Sequence, residues 1–181
     1  MRRPPVIPLV LVVAALLCGP WPAAAQDVSV PALKAAFLSN FVKFTEWPED
    51  QRAPGRVFTF CVSGDKAVTA ALLQGLTDHP GAVPMSVIVV TPDGPLHACQ
   101  MLYVGGTELR QARRVIDALK GAAVFTVSDI EGFAEAGGVA QLRLENGRMR
   151  FTINPGAAQR AHLTLSAKLL RLATIVKDGP E

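Results

Sequence analysis

Charge is scarce in this chain. Of its 181 residues, 18% are Asp, Glu, Lys or Arg, against 50% hydrophobic and 6% aromatic. No basic run and no basic strand interleaved with aromatics occurs, which argues against a nucleic-acid surface. Cysteine is nearly absent, with three residues, no Cys-x-x-Cys and no ligand spacing shared with the scattered His79, His97 and His162. A dithiol redox motif and a zinc site are therefore not indicated. The chain has neither Gly-x-Gly-x-x-Gly nor Gly-x-Ser-x-Gly, the marks of a dinucleotide fold and of a nucleophile elbow. Carboxylates are few in the predicted strand-end loops, which disfavours a two-carboxylate hydrolase. After the first 25 residues no apolar stretch reaches the roughly 20 residues of a membrane span, so an integral multi-span protein is excluded.

The apolar bias is concentrated at the start. Met1-Arg2-Arg3 is basic, Val6 to Cys18 is almost wholly aliphatic, and Ala23-Ala24-Ala25 offers small residues to a signal peptidase. Residues 1–25 read as a secretory signal peptide cleaved before Gln26. The remaining residues, 26–181, carry 16 basic and 15 acidic side chains once Arg2 and Arg3 are gone, so the domain is nearly neutral. That length suits one domain, burying roughly 70% of its unfolded surface. Cys18 falls in the leader behind Leu17, too large for a lipoprotein cleavage site. Cys61 and Cys99 remain, an even pair in an exported chain, and they are expected to form one structural disulfide. Closing a loop of that length is worth about 4 kcal/mol in the chain-entropy treatment.

Periodicity predicts a helix over 31–46, with Leu33, Phe37, Phe41 and Phe44 on one face and Trp47-Pro48 as its stop. A strand is expected over 56–63 and a helix from Gly64-Asp65 to about Gly75. A nearly continuous apolar strand over 83–90 should be buried on both faces. Further strands are expected over 99–104 and 124–127. Between them lies a helix over 107–119 with Thr107 as N-cap. Asn146-Gly147 between alternating segments predicts a hairpin of 139–145 with 148–153. Asn154-Pro155 starts a helical piece, 163–165 interrupts it, and Ser166 caps a helix running to Val176. This order describes an α/β single layered domain: a mixed β-sheet of about five to six strands, flanked by helices on both faces, with a C-terminal β-hairpin.

Candidates for chemistry are thin. Gly105-Gly106-Thr107, between a strand and a helix, could take an anion, although a plain tight turn is the preferred reading. Ser128, Asp129 and His162 could be written as a hydrolase triad, but nothing in the sequence joins them. Asp93 and His97 share one loop. The inventory points from catalysis towards binding, with no cofactor and no metal expected. A small-molecule binding protein using the strand ends near Gly64, Gly105 and Ser128 stays open as an alternative.

The segments Lys34-Ala35-Ala36-Phe37-Leu38-Ser39-Asn40-Phe41-Val42-Lys43-Phe44-Thr45-Glu46-Trp47-Pro48, Phe60-Cys61-Val62-Ser63-Gly64-Asp65 and Cys99-Gln100-Met101-Leu102-Tyr103-Val104 carry a resemblance. With them go Val127-Ser128-Asp129, Phe133-Ala134, Gly137-Gly138, Arg150-Phe151-Thr152-Ile153-Asn154 and Leu165-Ser166-Ala167-Lys168-Leu169-Leu170. In this combination and order the chain resembles the YfiR family of bacterial periplasmic proteins. The resemblance implies a non-enzymatic regulator that binds the periplasmic part of an inner-membrane diguanylate cyclase and represses it, tuning cyclic di-GMP signalling and biofilm formation. It further implies an outer-membrane lipoprotein that relieves repression, a homodimer, and a disulfide at Cys61 and Cys99. Some members have a second cysteine pair near the Phe-Ala-x-x-Gly-Gly stretch, and this chain has none there. An apolar patch with a polar rim should contact the partner. Phe37, Phe41, Phe44 and Trp47 on the first helix are the candidates, against the reading, preferred for at least three of them, that they belong to the core. The 91–98 loop and the Asn146-Gly147 tip are the other exposed candidates.

Overall fold

A computed structural model describes residues 29–51, 55–78 and 84–179. The predicted leader, its cleavage point, His79 and the first residue of the 83–90 strand lie outside the described residues. In chain order the elements are α1 (Val30–Lys43), β1 (Thr45–Glu46), β2 (Phe58–Ser63), α2 (Lys66–Asp78), β3 (Met85–Val89), β4 (Met101–Val104), α3 (Leu109–Ala118) and β5 (Phe125–Ser128). Then follow β6 (Ala140–Glu145), β7 (Arg148–Ile153), α4 (Pro155–Arg160), β8 (Thr164–Leu165), α5 (Ala167–Leu172) and β9 (Thr174–Ile175).

Seven strands form the main sheet in the order β3-β2-β4-β5-β6-β7-β9, and β1 pairs with β8 in a separate two-stranded ribbon. The β3-to-β6 part of the sheet is parallel, β6–β7 is the antiparallel hairpin, and β9 lies parallel to β7. The crossovers β2–α2–β3 and β4–α3–β5 run in opposite directions along the sheet. With one handedness they must place their helices on opposite faces. Two apolar clusters confirm this. One gathers Leu38 and Phe41 of α1, Val68 and Leu72 of α2, and Phe60, Tyr103, Phe125 and Leu142 of the sheet. The other packs Ala112 and Val115 of α3 against Cys61, Leu102, Val104 and Phe133. The mixed, two-faced α/β architecture is as expected, with one strand more than expected.

That strand, β9, comes from the end of the chain. Ser166 caps α5 as foreseen, its hydroxyl accepting from the Leu169 amide at 3.2 Å. However, the helix stops at Leu172 and residues 174–175 pair with Thr152 and Ile153 instead of continuing to Val176. α1 also stops early. The amide of Ser166 donates to the Phe44 carbonyl at 2.9 Å, and Thr45–Glu46 is drawn into the ribbon with Thr164–Leu165. Thr107 is not the cap of α3; Glu108 holds that position with no side-chain cap. α2 runs past Gly75 to Asp78.

The main correction concerns β3. It is an edge strand rather than one covered on both faces, and Val89 is 70% exposed. A continuous apolar run reads the same whether its neighbours lie on both sides or on one, and only strand order separates the two. The hairpin, in contrast, is as expected, with φ of 50° at Asn146 and 74° at Gly147. Cys61 and Cys99 are bonded, with Cα atoms 5.7 Å apart, closing a loop that holds α2 and β3. Among the described residues no helix is long and apolar enough to cross a membrane.

Candidate functional site

The candidate site grows from α1. Ser29 caps it, accepting from the Ala32 amide, and Pro31 sits in the first turn, where a missing N–H costs nothing. Phe37, Phe41 and Phe44 then recur at helical spacing, and their depths differ. Phe41 is 1% exposed and stacks on Phe125, with ring centroids 5.5 Å apart. Phe37 and Phe44 are only half-buried. Phe151 of β7 meets Phe37 at 5.8 Å and Phe41 at 5.3 Å, both edge-to-face, an arrangement that aromatic quadrupoles favour.

Between α1, the outer part of β7 and α5 these rings line a groove of about 700 Å³. Met149 and Leu172 are among its lining residues, and Leu172 is 70% exposed. Arg143, Glu145, Arg150 and Lys168 also line it. Arg143 and Glu145 pair at 3.3 Å, and the Lys168 ammonium lies 5.4 Å from the centre of the Phe44 ring. The site is therefore an aromatic floor with a charged rim. β9 accounts for its position. It pairs only with the last two residues of β7, leaving the strand's earlier half uncovered beside α5.

Three of the four aromatics expected to meet a partner, Phe37, Phe41 and Phe44, line this groove, Phe41 from beneath. Trp47 is not among its lining residues. Its indole N–H donates to the Gln100 carbonyl at 3.0 Å and its ring meets Phe58 edge-to-face at 5.0 Å. The cationic rim was missed from sequence. Its signal was the Arg143–Arg150 pairing implied by the Asn146-Gly147 turn.

The parallel strand ends are occupied by the protein itself. A side chain at Gly64 would collide with the Gly105 carbonyl, so the two turns seal against each other. Lys34 of α1 lies across them, 2.7 Å from Asp129 and 3.5 Å from Asp65. Beneath it Tyr103 is buried. Burial, helped by Asp129, pushes its phenol well above the ordinary tyrosine range, so it stays neutral.

Ser128, Asp129 and His162 do not assemble. The Ser128 hydroxyl donates to the Val104 carbonyl at 2.6 Å and accepts from the Ile130 amide. Asp129 is engaged by Lys34, and His162 is exposed in the turn after α4, with no hydrogen bond to either among the described residues. Asp93 and His97 border a small cavity of about 280 Å³ on the far face. Among the described residues no group of three or more His, Cys, Asp or Glu is placed to hold a metal ion.

Comparison with known proteins adds one finding. The family model described as YfiR/HmsC-like matches residues 31–174, from the first turn of α1 to the start of β9. No curated protein matches the chain.

Proposed function

The chain belongs to the YfiR/HmsC-like family, and from that premise we propose that it is a non-enzymatic periplasmic regulator of a membrane diguanylate cyclase. In this reading it is exported, loses residues 1–25, and binds the cyclase's periplasmic sensor region in the repressing state. A binding preference of about 1–3 kcal/mol for one sensor state is a typical allosteric coupling. The observation that carries the reading to a surface is the groove between α1, β7 and α5. It leaves Phe37, Phe44 and Leu172 partly or largely uncovered beside a polar rim, the composition of a protein interface. A homodimer, and release by an outer-membrane lipoprotein, complete the proposal and rest on the family resemblance.

The test is direct. The chain without its leader is titrated with purified periplasmic domains of the host's membrane diguanylate cyclases, and cellular cyclic di-GMP is measured with and without the gene. One domain should bind, deletion should raise cyclic di-GMP, and a Phe37→Ala, Phe44→Ala double variant should lose binding while keeping its melting temperature within a few degrees. Unchanged cyclic di-GMP on deletion, with no domain binding, overturns the proposal. Binding that survives the double variant moves the interface elsewhere.

A further inference from the structure

We infer that the groove between α1, β7 and α5 takes a protein segment in which carboxylates flank an apolar anchor. This rests on the reading of the groove as the partner surface and adds the chemistry of what enters it.

The charge at the rim is lopsided. Arg143, Arg150 and Lys168 line the groove against the single carboxylate of Glu145. Glu145 is paired with Arg143. Arg150 and Lys168 have no carboxylate partner among the described residues. The hairpin register makes this costly for the isolated chain, because Arg143 and Arg150 are direct cross-strand partners. Like charges at directly opposed positions destabilise a strand pair. A carboxylate arriving from outside turns that repulsion into attraction. By strand alternation Arg143 and Arg150 project from the sheet face opposite Phe151 and Met149. They therefore meet one carboxylate around the open edge of β7, while Lys168 beside the Phe44 ring meets another on the α1 side of the groove.

The floor specifies the other half of the ligand. Phe37, Phe44 and Phe151 present half-buried aromatic surface, and Leu172 adds an exposed aliphatic side chain. An apolar side chain must fill this space for binding to gain from desolvation, and flanking acids meet the rim. A protein segment fits better than a membrane surface. The accessible floor is made of the half-buried Phe37, Phe44 and Phe151, set behind the charged rim, and a flat bilayer surface would touch only the rim.

Two synthetic peptides with the same leucine- and phenylalanine-rich centre, one flanked by aspartates and one by lysines, read the chemistry without the natural partner. The aspartate peptide should bind the chain without its leader at least about tenfold more tightly at low salt, and the gap should shrink as salt rises. Its amide shift changes should map to Phe37, Phe44 and Met149. An Arg150→Glu, Lys168→Glu variant, altered only at exposed side chains, should abolish or reverse the preference. Equal binding of both peptides, binding of neither, or binding of anionic phosphatidylglycerol vesicles in place of the aspartate peptide overturns the inference. The cyclase domain separates the two readings. If it binds the charge-reversed variant as tightly as wild type but fails with Phe37→Ala, Phe44→Ala, the groove stands as the partner surface and the acidic segment falls. If no cyclase domain binds while the aspartate peptide does, the groove chemistry stands and the cyclase assignment falls.

Discussion

The indole N–H of Trp47 donates to the main-chain carbonyl of Gln100 across 3.0 Å in the buried interior. This bond ties the segment that leaves α1 to the residue just ahead of β4. The same carbonyl accepts from the Phe125 amide at 2.8 Å, and the Gln100 side chain accepts from the Thr59 amide at 2.7 Å. One residue thus joins β2, β4, β5 and the end of the helix that forms the groove wall.

Trp47→Phe keeps an aromatic ring and removes the donor. Because Phe125 still satisfies the Gln100 carbonyl, the hydrogen-bond loss should be about 1 kcal/mol. Trp47→Ala also opens a cavity and should cost about 3–5 kcal/mol. Urea unfolding of both variants checks the order. Equal losses would mean that the N–H, rather than ring packing, dominates.

Cys61 and Cys99 are both fully buried, and their bond spans a 38-residue separation. Reducing it should lower stability by about 2–5 kcal/mol. The Cys61→Ala, Cys99→Ala double variant should unfold at the same urea concentration as reduced wild type. Cys61→Ser should be worse, because it buries a hydroxyl in an apolar cluster. If reductant leaves the wild-type midpoint unmoved, loop closure contributes nothing here.

Gly64 and Gly147 both have positive φ, 78° and 74°. They differ in surroundings, since nothing lies within 4 Å of a Cβ added at Gly147, whereas Gly64 faces the Gly105 carbonyl. Gly147→Ala should therefore cost only the left-handed penalty, about 1–2 kcal/mol. Gly64→Ala adds a backbone collision and should cost at least about 1 kcal/mol more. Thermal melts of the pair test the ranking, which fails if the two variants match.

Asp178 accepts from Arg160 and from the Asn154 side chain, both on its Oδ1 atom, near the end of the described chain. The hydrogen bond from Arg160, assisted by Asn154 and opposed by partial desolvation, holds its carboxyl below the usual range. A depressed carboxylate stabilises the fold above its unfolded pKa of about 3.9, and that contribution fades as pH falls through the lower folded value. The stability difference between wild type and Asp178→Asn should be level from neutral pH to about 5 and vanish in stronger acid. It should be small, because the side chain is about half exposed. A difference that persists at pH 2 would assign the effect to shape rather than charge.

Much of the molecule was legible in short stretches. The Asn146-Gly147 turn, the Ser166 and Asn154 caps, the aromatic spacing of α1 and the cysteine pair all follow from rules acting over a few residues. These are preferences of φ and ψ, side-chain periodicity and thiol chemistry, and they operate before the chain has folded. Where sequence reading failed, the missing quantity was adjacency. The run that forms β3 reads as a strand covered on both faces, and the segment ending in β9 reads as the tail of a helix.

The amino-acid sequence by itself determined that an α/β domain would place three phenylalanines along one helix face and link Cys61 to Cys99. The tertiary structure decided that Phe41 goes to the core while Phe37 and Phe44 line a groove, and that Arg143, Arg150 and Lys168 border it from different sides. Local pattern says which face of an element is apolar. How deep each residue on that face lies depends on which strands and helices stand beside it, and that order is set only when the crossovers close the sheet.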